Sequence, residues 1–350
     1  MSLPVAWKQE YESLTGFVGE HPEIVITPSE ISIPRDLREE FYLRFDRARM
    51  AVVEHYYPML SVDVETLCTR YVAIEKDVME LLGLEEITMP ADLSSFLHRP
   101  KEGLTRVIYN RLFDLLQQKI GLDRFEENCA LELDSAAAEL FRLGYEWWAA
   151  LALIRLLEPD ESYGVDLDDD YKPVAVELKS ISFGRQAHHP TIRLPEFVLH
   201  SGRLNRYVAV KMALASEAES FANAVKPPVR PKKRTGDTSF VLDSRVMLLS
   251  FIEDLKHIPI VAEIFDCTLS RPDWIVECLT KGEALDPDAV NAVKQRAAML
   301  QPKMGVCAIV MDDAPDAELQ KIFEGVRPFP VGLELSRLHP VVDALAPAWV

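Results

Sequence analysis

Ser162 to Ser180 read S-Y-G-V-D-L-D-D-D-Y-K-P-V-A-V-E-L-K-S. Apolar and polar residues alternate on both sides of an Asp-rich break that ends in Lys-Pro, the pattern of two strands joined by a turn. A turn at Asp169–Lys172 sets Leu167 opposite Val174 and Asp166 opposite Ala175. Alternation then places Asp166 and Asp168 on the face carrying Glu177 and Lys179, with Val165, Leu167, Val174, Val176 and Leu178 on the other. A slip of one residue moves the aspartates across the sheet. In the expected register, two or three carboxylates and an ammonium converge. Such a group could hold a divalent ion and polarise a water.

The hairpin also marks a change of texture. Upstream, the apolar residues follow helical spacing. One helix opens at Pro34 and Asp36, buries Phe41, Phe45 and Val53, and closes at Pro58; others are expected over about Val62–Leu82 and Leu104–Lys119. The first 25 or so residues read as a loose arm. A fourth helix, about Leu133–Leu157, is apolar nearly all round, so it is expected to be buried or to lie under a partner. Its acids Glu132, Glu139 and Glu146 recur every seven residues, which gives either a solvated strip or a side chain facing a site on the adjoining sheet.

Downstream, strands are expected at Tyr163–Leu167, Val174–Ser182, Ile258–Phe265, Gly305–Met311 and Val331–Leu335. A helix starts at Asp286-Pro287, with Asp as cap and Pro in the first turn. A further helix runs through Leu319, Ile322 and Phe323 to Gly325, completing a strand–helix–strand unit with parallel strands. The fold class is therefore α/β (α+β overall): a helical N-terminal region at 1–131, then an α/β region with a mixed sheet at 132–350. Between its strands, residues 225–237 form a Pro-rich basic loop carrying Lys226, Arg230, Lys232, Lys233 and Arg234.

The net charge of −18 opposes indiscriminate nucleic-acid binding. Residues 1–159 hold 16 Lys and Arg against 28 Asp and Glu, whereas residues 160–350 hold 22 against 28, so a phosphate-handling surface belongs to the second part. The start of the chain lacks a basic segment leading into an apolar stretch, and no apolar run reaches the ~18–20 residues of a membrane span. A cytoplasmic protein is expected. The five cysteines are scattered without C-x-x-C spacing, which indicates neither a zinc site nor a disulfide framework.

The acid-bearing helix, the hairpin aspartate and the Glu177-Leu178-Lys179 strand, followed by helix and strand, resemble the PD-(D/E)xK nuclease superfamily. The resemblance covers about 50 residues, Glu132–Gln186, and Gly164-Val165 stands where a Pro is usual before the aspartate. It implies Mg²⁺ held by Asp166 (or Asp168) and Glu177, Lys179 at the attacking water, Glu139 or Glu146 as a helical acid, and nucleic acid as substrate. The basic loop at 225–237 would then grip phosphate by counterion release. Read without the resemblance, Glu177 and Lys179 decorate a wet hairpin face and Asp168–Asp170 form a solvated turn.

Other features carry less chemistry. His188 and His189 are adjacent and point apart on an extended chain. Asp312 and Asp313 close a strand but suit a helix cap. No Gly-rich phosphate loop and no G-x-S-x-G elbow are present. Two function classes follow: metal-dependent phosphodiester hydrolysis, or a non-catalytic interaction or regulatory protein. In the second, the acidic helical region and the Trp147-Trp148 helix bind a protein partner.

Overall fold

In a computed structural model, residues 6–182, 191–214, 245–263, 268–311, 323 and 325–346 are described. The fold is α+β, with a helical N-terminal region and a mixed eight-stranded sheet. Two compact units form, one from residues 1–68 and 90–141, the other from 69–89 and 142–350. The division anticipated at 131/132 thus differs from the observed one, because 69–89 joins the second unit and the long helix contributes to both.

The first unit is built on α1 (Ala6–Glu20), α2 (Arg38–Tyr56), α4 (Ala91–His98) and α5 (Pro100–Leu116), with parts of α3 (Val64–Leu82) and α6 (Leu122–Leu156). The arm expected at the start is corrected to a helix: Trp7, Leu14 and Phe17 recur on one face of α1 and are buried. Trp7 packs on Phe125, and Phe41, Phe45 and Phe113 form a ring cluster. At Gly103 the first turn of α5 passes so close to α4 that a Cβ would meet the Phe96 backbone at 2.7 Å.

In the second unit the main strands are β1 (Pro159–Leu167), β2 (Pro173–Glu177), β3 (Phe197–Ser201), β4 (Arg206–Leu214), β5 (Arg245–Ile252), β6 (Trp274–Thr280), β7 (Gly305–Met311) and β8 (Arg327–Pro330). Their spatial order is β8-β7-β6-β5-β4-β3-β1-β2, antiparallel from β6 to β2 and parallel from β6 to β8. A short helix, α7 (Lys281–Leu285), opens with a capping box on Thr280 and Glu283. α8 (Pro287–Leu300) follows, with Asp286 accepting from the Asp288 N–H and Pro287 in the first turn. A last helix, α9, spans His339–Leu345.

Several expected strands are corrected. The Val174–Ser182 run splits: β2 stops at Glu177, and Ser180–Ser182 leaves to pair in parallel with Glu86–Thr88. The Ile258–Phe265 strand shrinks to Ala262–Glu263 among its described residues, and Val331–Leu335 is replaced by β8 just upstream, where the chain turns at Gly332. The helix expected through Leu319 and Ile322 lies outside the described residues.

The two faces of the sheet differ. On the first face, Ala213, Val246, Leu248, Ile275, Leu279 and Ala308 pack against Val290, Val293 and Leu300 of α8. On the second, Met212, Met247, Val276 and Ile309 meet Ala149, Ala150 and Leu153 of α6. Trp147 and Trp148 are buried within the protein, the first of the two outcomes expected for so apolar a helix, and leave no exposed tryptophan surface for a partner. Burying the nearly all-apolar half of α6 keeps its side chains from water, the main driving force for that packing.

Candidate functional site

Local turn chemistry fixes the β1–β2 hairpin. Asp168 donates its N–H to the Lys172 carbonyl, and its side chain accepts from the N–H groups of Asp170 and Lys172. The loop is therefore Asp169–Asp170–Tyr171, and Tyr171 has a left-handed backbone, φ 60°. A three-residue hairpin loop ends in just such a residue, usually glycine. The resulting register sets Asp166 opposite Val174 and Tyr163 opposite Glu177, one residue away from the expected pairing.

That shift has the consequence alternation requires. Asp166 shares its face with Val174 and Val176, and Glu177 shares the opposite face with Tyr163, Val165 and Ala175. The convergence expected of Asp166 and Glu177 is thereby corrected. Asp166 accepts from the Leu167 N–H, and Asp168 is occupied as the turn's acceptor. Lys179 lies past the strand end and pairs with Glu177 at 3.3 Å, with 60% and 77% of their side chains exposed. Mg²⁺ needs several oxygen ligands around one point, and among the described residues no group of three His, Cys, Asp or Glu side chains could hold a metal. The hairpin residues do not fit the ion that the nuclease resemblance implies.

The sheet position differs as well. The resemblance calls for a helix and a strand after the Glu-x-Lys strand, whereas β2 ends as an antiparallel edge strand and Ser180–Ser182 follows it directly. Among the described residues, strand, helix and parallel strand succeed one another at β6, α8 and β7, where Glu277 is buried and bonded to Arg296 of α8. Glu146 of α6 is buried and paired with Arg142 at 2.7 Å, and Glu132 pairs with Arg111. Lys226, Arg230, Lys232, Lys233 and Arg234 lie outside the described residues, as do Gln186, His188, His189, Asp312 and Asp313.

A different constellation forms on the first face at this edge of the sheet. Pro159 pairs with Ser201 and Glu161 with His200, so Asp160 is the extra residue of a bulge. A bulge re-aims side chains, and here two consecutive acids reach adjoining residues of the same strip. Asp160 Oδ1 lies 2.6 Å from His200 Nδ1. Glu161 Oε2 accepts from the hydroxyls of Tyr207 at 2.7 Å and Tyr163 at 3.1 Å. His200 and Tyr207 sit opposite each other on β3 and β4, with ring centroids 4.9 Å apart.

Glu177, directly across from Tyr163, extends this stripe to β2. The hydrogen bond to Glu161, followed by burial, pushes the Tyr207 phenol up to about 12, and Tyr163's own bond to Glu161 raises its phenol too. Chemically, the stripe offers carboxylate acceptors beside aromatic faces. The Asp160–His200 pair orients an imidazole, and no hydroxyl or thiol is hydrogen-bonded to that ring among the described residues. Sequence reasoning missed the stripe because the bulge breaks the period-two pattern; the signal available was only Asp160-Glu161 beside a β-prone run.

No helix among the described residues is long and apolar enough to cross a membrane. Compared with protein-family models, curated proteins and solved structures, the chain matches none significantly.

Proposed function

We propose that this is a non-catalytic interaction protein that binds a basic segment of a partner protein on the acidic, tyrosine-bearing edge of its sheet. The observation that carries the reading is the bulge at Asp160, which gathers Asp160 and Glu161 beside His200, Tyr207 and Tyr163. Carboxylates accept from guanidinium groups, and tyrosine faces attract cations. The net charge of −18 draws a cationic partner in from a distance. Phosphodiester hydrolysis on Mg²⁺ is less well supported, since it requires Asp166 and Glu177 to grip one ion and their register turns them apart.

Calorimetric titration with an oligo-arginine peptide and an oligo-glutamate peptide of equal length tests this reading. The basic peptide binds, binding weakens as salt rises, and Glu161→Gln or Glu177→Gln weakens it by about tenfold. Unchanged binding in both variants would sink the proposal. So would Mg²⁺-dependent cleavage of DNA or RNA that Glu177→Ala abolishes, which would restore the hydrolase.

A further inference from the structure

The eight-stranded sheet ends in two unlike edges. On β8 the Val331 N–H, just past the strand, donates inward to the Val310 carbonyl, so alternation turns Pro328 and Pro330 outward. Proline has no N–H to offer a further strand, and that edge is blocked. β2 is open by comparison. Its ladder with β1 starts at the Asp168–Lys172 closing bond, from which alternation points the backbone groups of Val174 and Val176 at Asp166 and Gly164. Pro173, Ala175 and Glu177 therefore turn theirs outward. The one proline of β2 falls where no bond to β1 is lost. Among the described residues β2 pairs with β1 alone, no other backbone bond reaches Ala175 or Glu177, and no residue of the strand is buried.

This open edge has a definite end. Past Glu177, the Lys179 carbonyl accepts from the Glu85 N–H, and Ser180–Ser182 pairs with Glu86–Thr88. A guest strand is thus confined to the five residues of β2 and meets the exposed Glu85 and Glu86 at its end. The flanking side chains say what fits. Glu177 lies on the first face across from Tyr163, whose hydroxyl donates to Glu161. Val174 and Val176 lie on the other face, with Val176 40% exposed. A strand that is basic on one side and apolar on the other matches both. A second copy of this chain does not. Pairing two β2 edges antiparallel about Ala175 brings each Asp169–Asp170 loop toward the other copy's Glu85 and Glu86, acid against acid.

We propose that β2 is a strand-addition site, where a partner's extended segment of alternating basic and apolar residues joins the sheet as a further antiparallel strand. The proposal rests on the reading of the acidic stripe as a site for a basic segment, and adds how that segment is held. Backbone bonds to Ala175 and Glu177 supply affinity, and the alternation of side chains supplies selectivity.

Fluorescence-anisotropy titration of the full chain with the peptides R-V-R-V-R-V-R and R-R-R-R-V-V-V, equal in composition and charge, tests this. The alternating peptide binds about tenfold tighter, the worth of about two added backbone bonds. N-methylating one alternate set of its amides removes the gain, and methylating the other set leaves it. Ala175→Pro, at an edge position that tolerates proline, also brings the two peptides level; the methylated peptides act on the unaltered protein and so guard against a misfolded variant. Equal binding of the two unmodified peptides overturns strand addition and leaves the acidic-stripe reading standing, whereas binding of neither removes both. A preference that survives Ala175→Pro and methylation of either set overturns the proposal. So does a dimer in sedimentation that Ala175→Pro dissociates, since a second copy would then hold the edge.

Discussion

Two Glu–Lys pairs in this sheet differ in almost everything except composition. Glu177 and Lys179 pair at 3.3 Å at the edge, with most of both side chains in water. Glu196 and Lys211 pair at 2.7 Å in the interior, with 7% and 5% of their side chains exposed. Glu196 Oε2 also accepts from the Met212 N–H, so both carboxylate oxygens are used. Burial pushes the Glu196 carboxyl up against the opposing pull of Lys211. The comparison shows that a charged residue's meaning lies in its solvent. At the edge, water screens the pair and almost nothing depends on it; inside, each charge requires the other.

The largest expected effect comes from breaking the interior pair. Lys211→Met strands the Glu196 carboxylate and should cost about 3–5 kcal/mol in urea unfolding. Adding Glu196→Leu should recover most of that loss, since a well-packed apolar pair often equals a buried ion pair. If the single variant is as stable as the parent, Glu196 is not confined as described.

Next in size is a backbone change at the edge. Tyr171 holds φ 60° in the hairpin loop. Tyr171→Gly should therefore stabilise the protein by about 0.5–1 kcal/mol, measured as a shift in urea midpoint. A destabilised variant would mean that the loop is held by the tyrosine side chain instead.

The acidic stripe makes a prediction about pH. The Tyr207 phenol is raised to about 12 by its bond to Glu161, above the ordinary value near 10. Its contribution is complete below the unfolded value and is lost as pH rises through the folded one. Stability should fall between about pH 10 and 12, and less steeply in Tyr207→Phe; identical slopes would remove the Glu161 bond from the account.

The smallest effect is the sharpest contrast with the interior. Glu177→Ala or Lys179→Ala should change stability by no more than a few tenths of a kcal/mol. A large loss from either would mean that the edge pair is far less solvated than its exposure indicates.

Much of the secondary structure was legible because local rules agreed with tertiary ones. Asp286-Pro287 opens α8 as capping chemistry requires, and the apolar run at Gly305–Met311 is a buried strand. The four central strands other than β7 were harder to read. β4 carries Lys211 amid its apolar residues, and β5 follows a basic, Pro-rich stretch of sequence; only burial between α8 and α6 reveals these as sheet interior. The hairpin itself was visible, yet its register was not. The loop position that favours glycine is filled by Tyr171, so the signal distinguishing a three-residue from a four-residue loop was hidden. The bulge at Asp160 was equally silent, because nothing local marks which strand residue will be left over when two chains pair.

By itself, the amino-acid order determined the broad plan: helices in the first part, then strands and a capped helix, with an acidic surplus in both parts. Those features depend on neighbours a few residues apart, where propensity, capping and periodicity act. Tertiary structure alone decided which acids face which side and which charges leave water. A one-residue change in pairing inverts a strand's faces, and the pairing is chosen by the whole sheet and the helices that cover it.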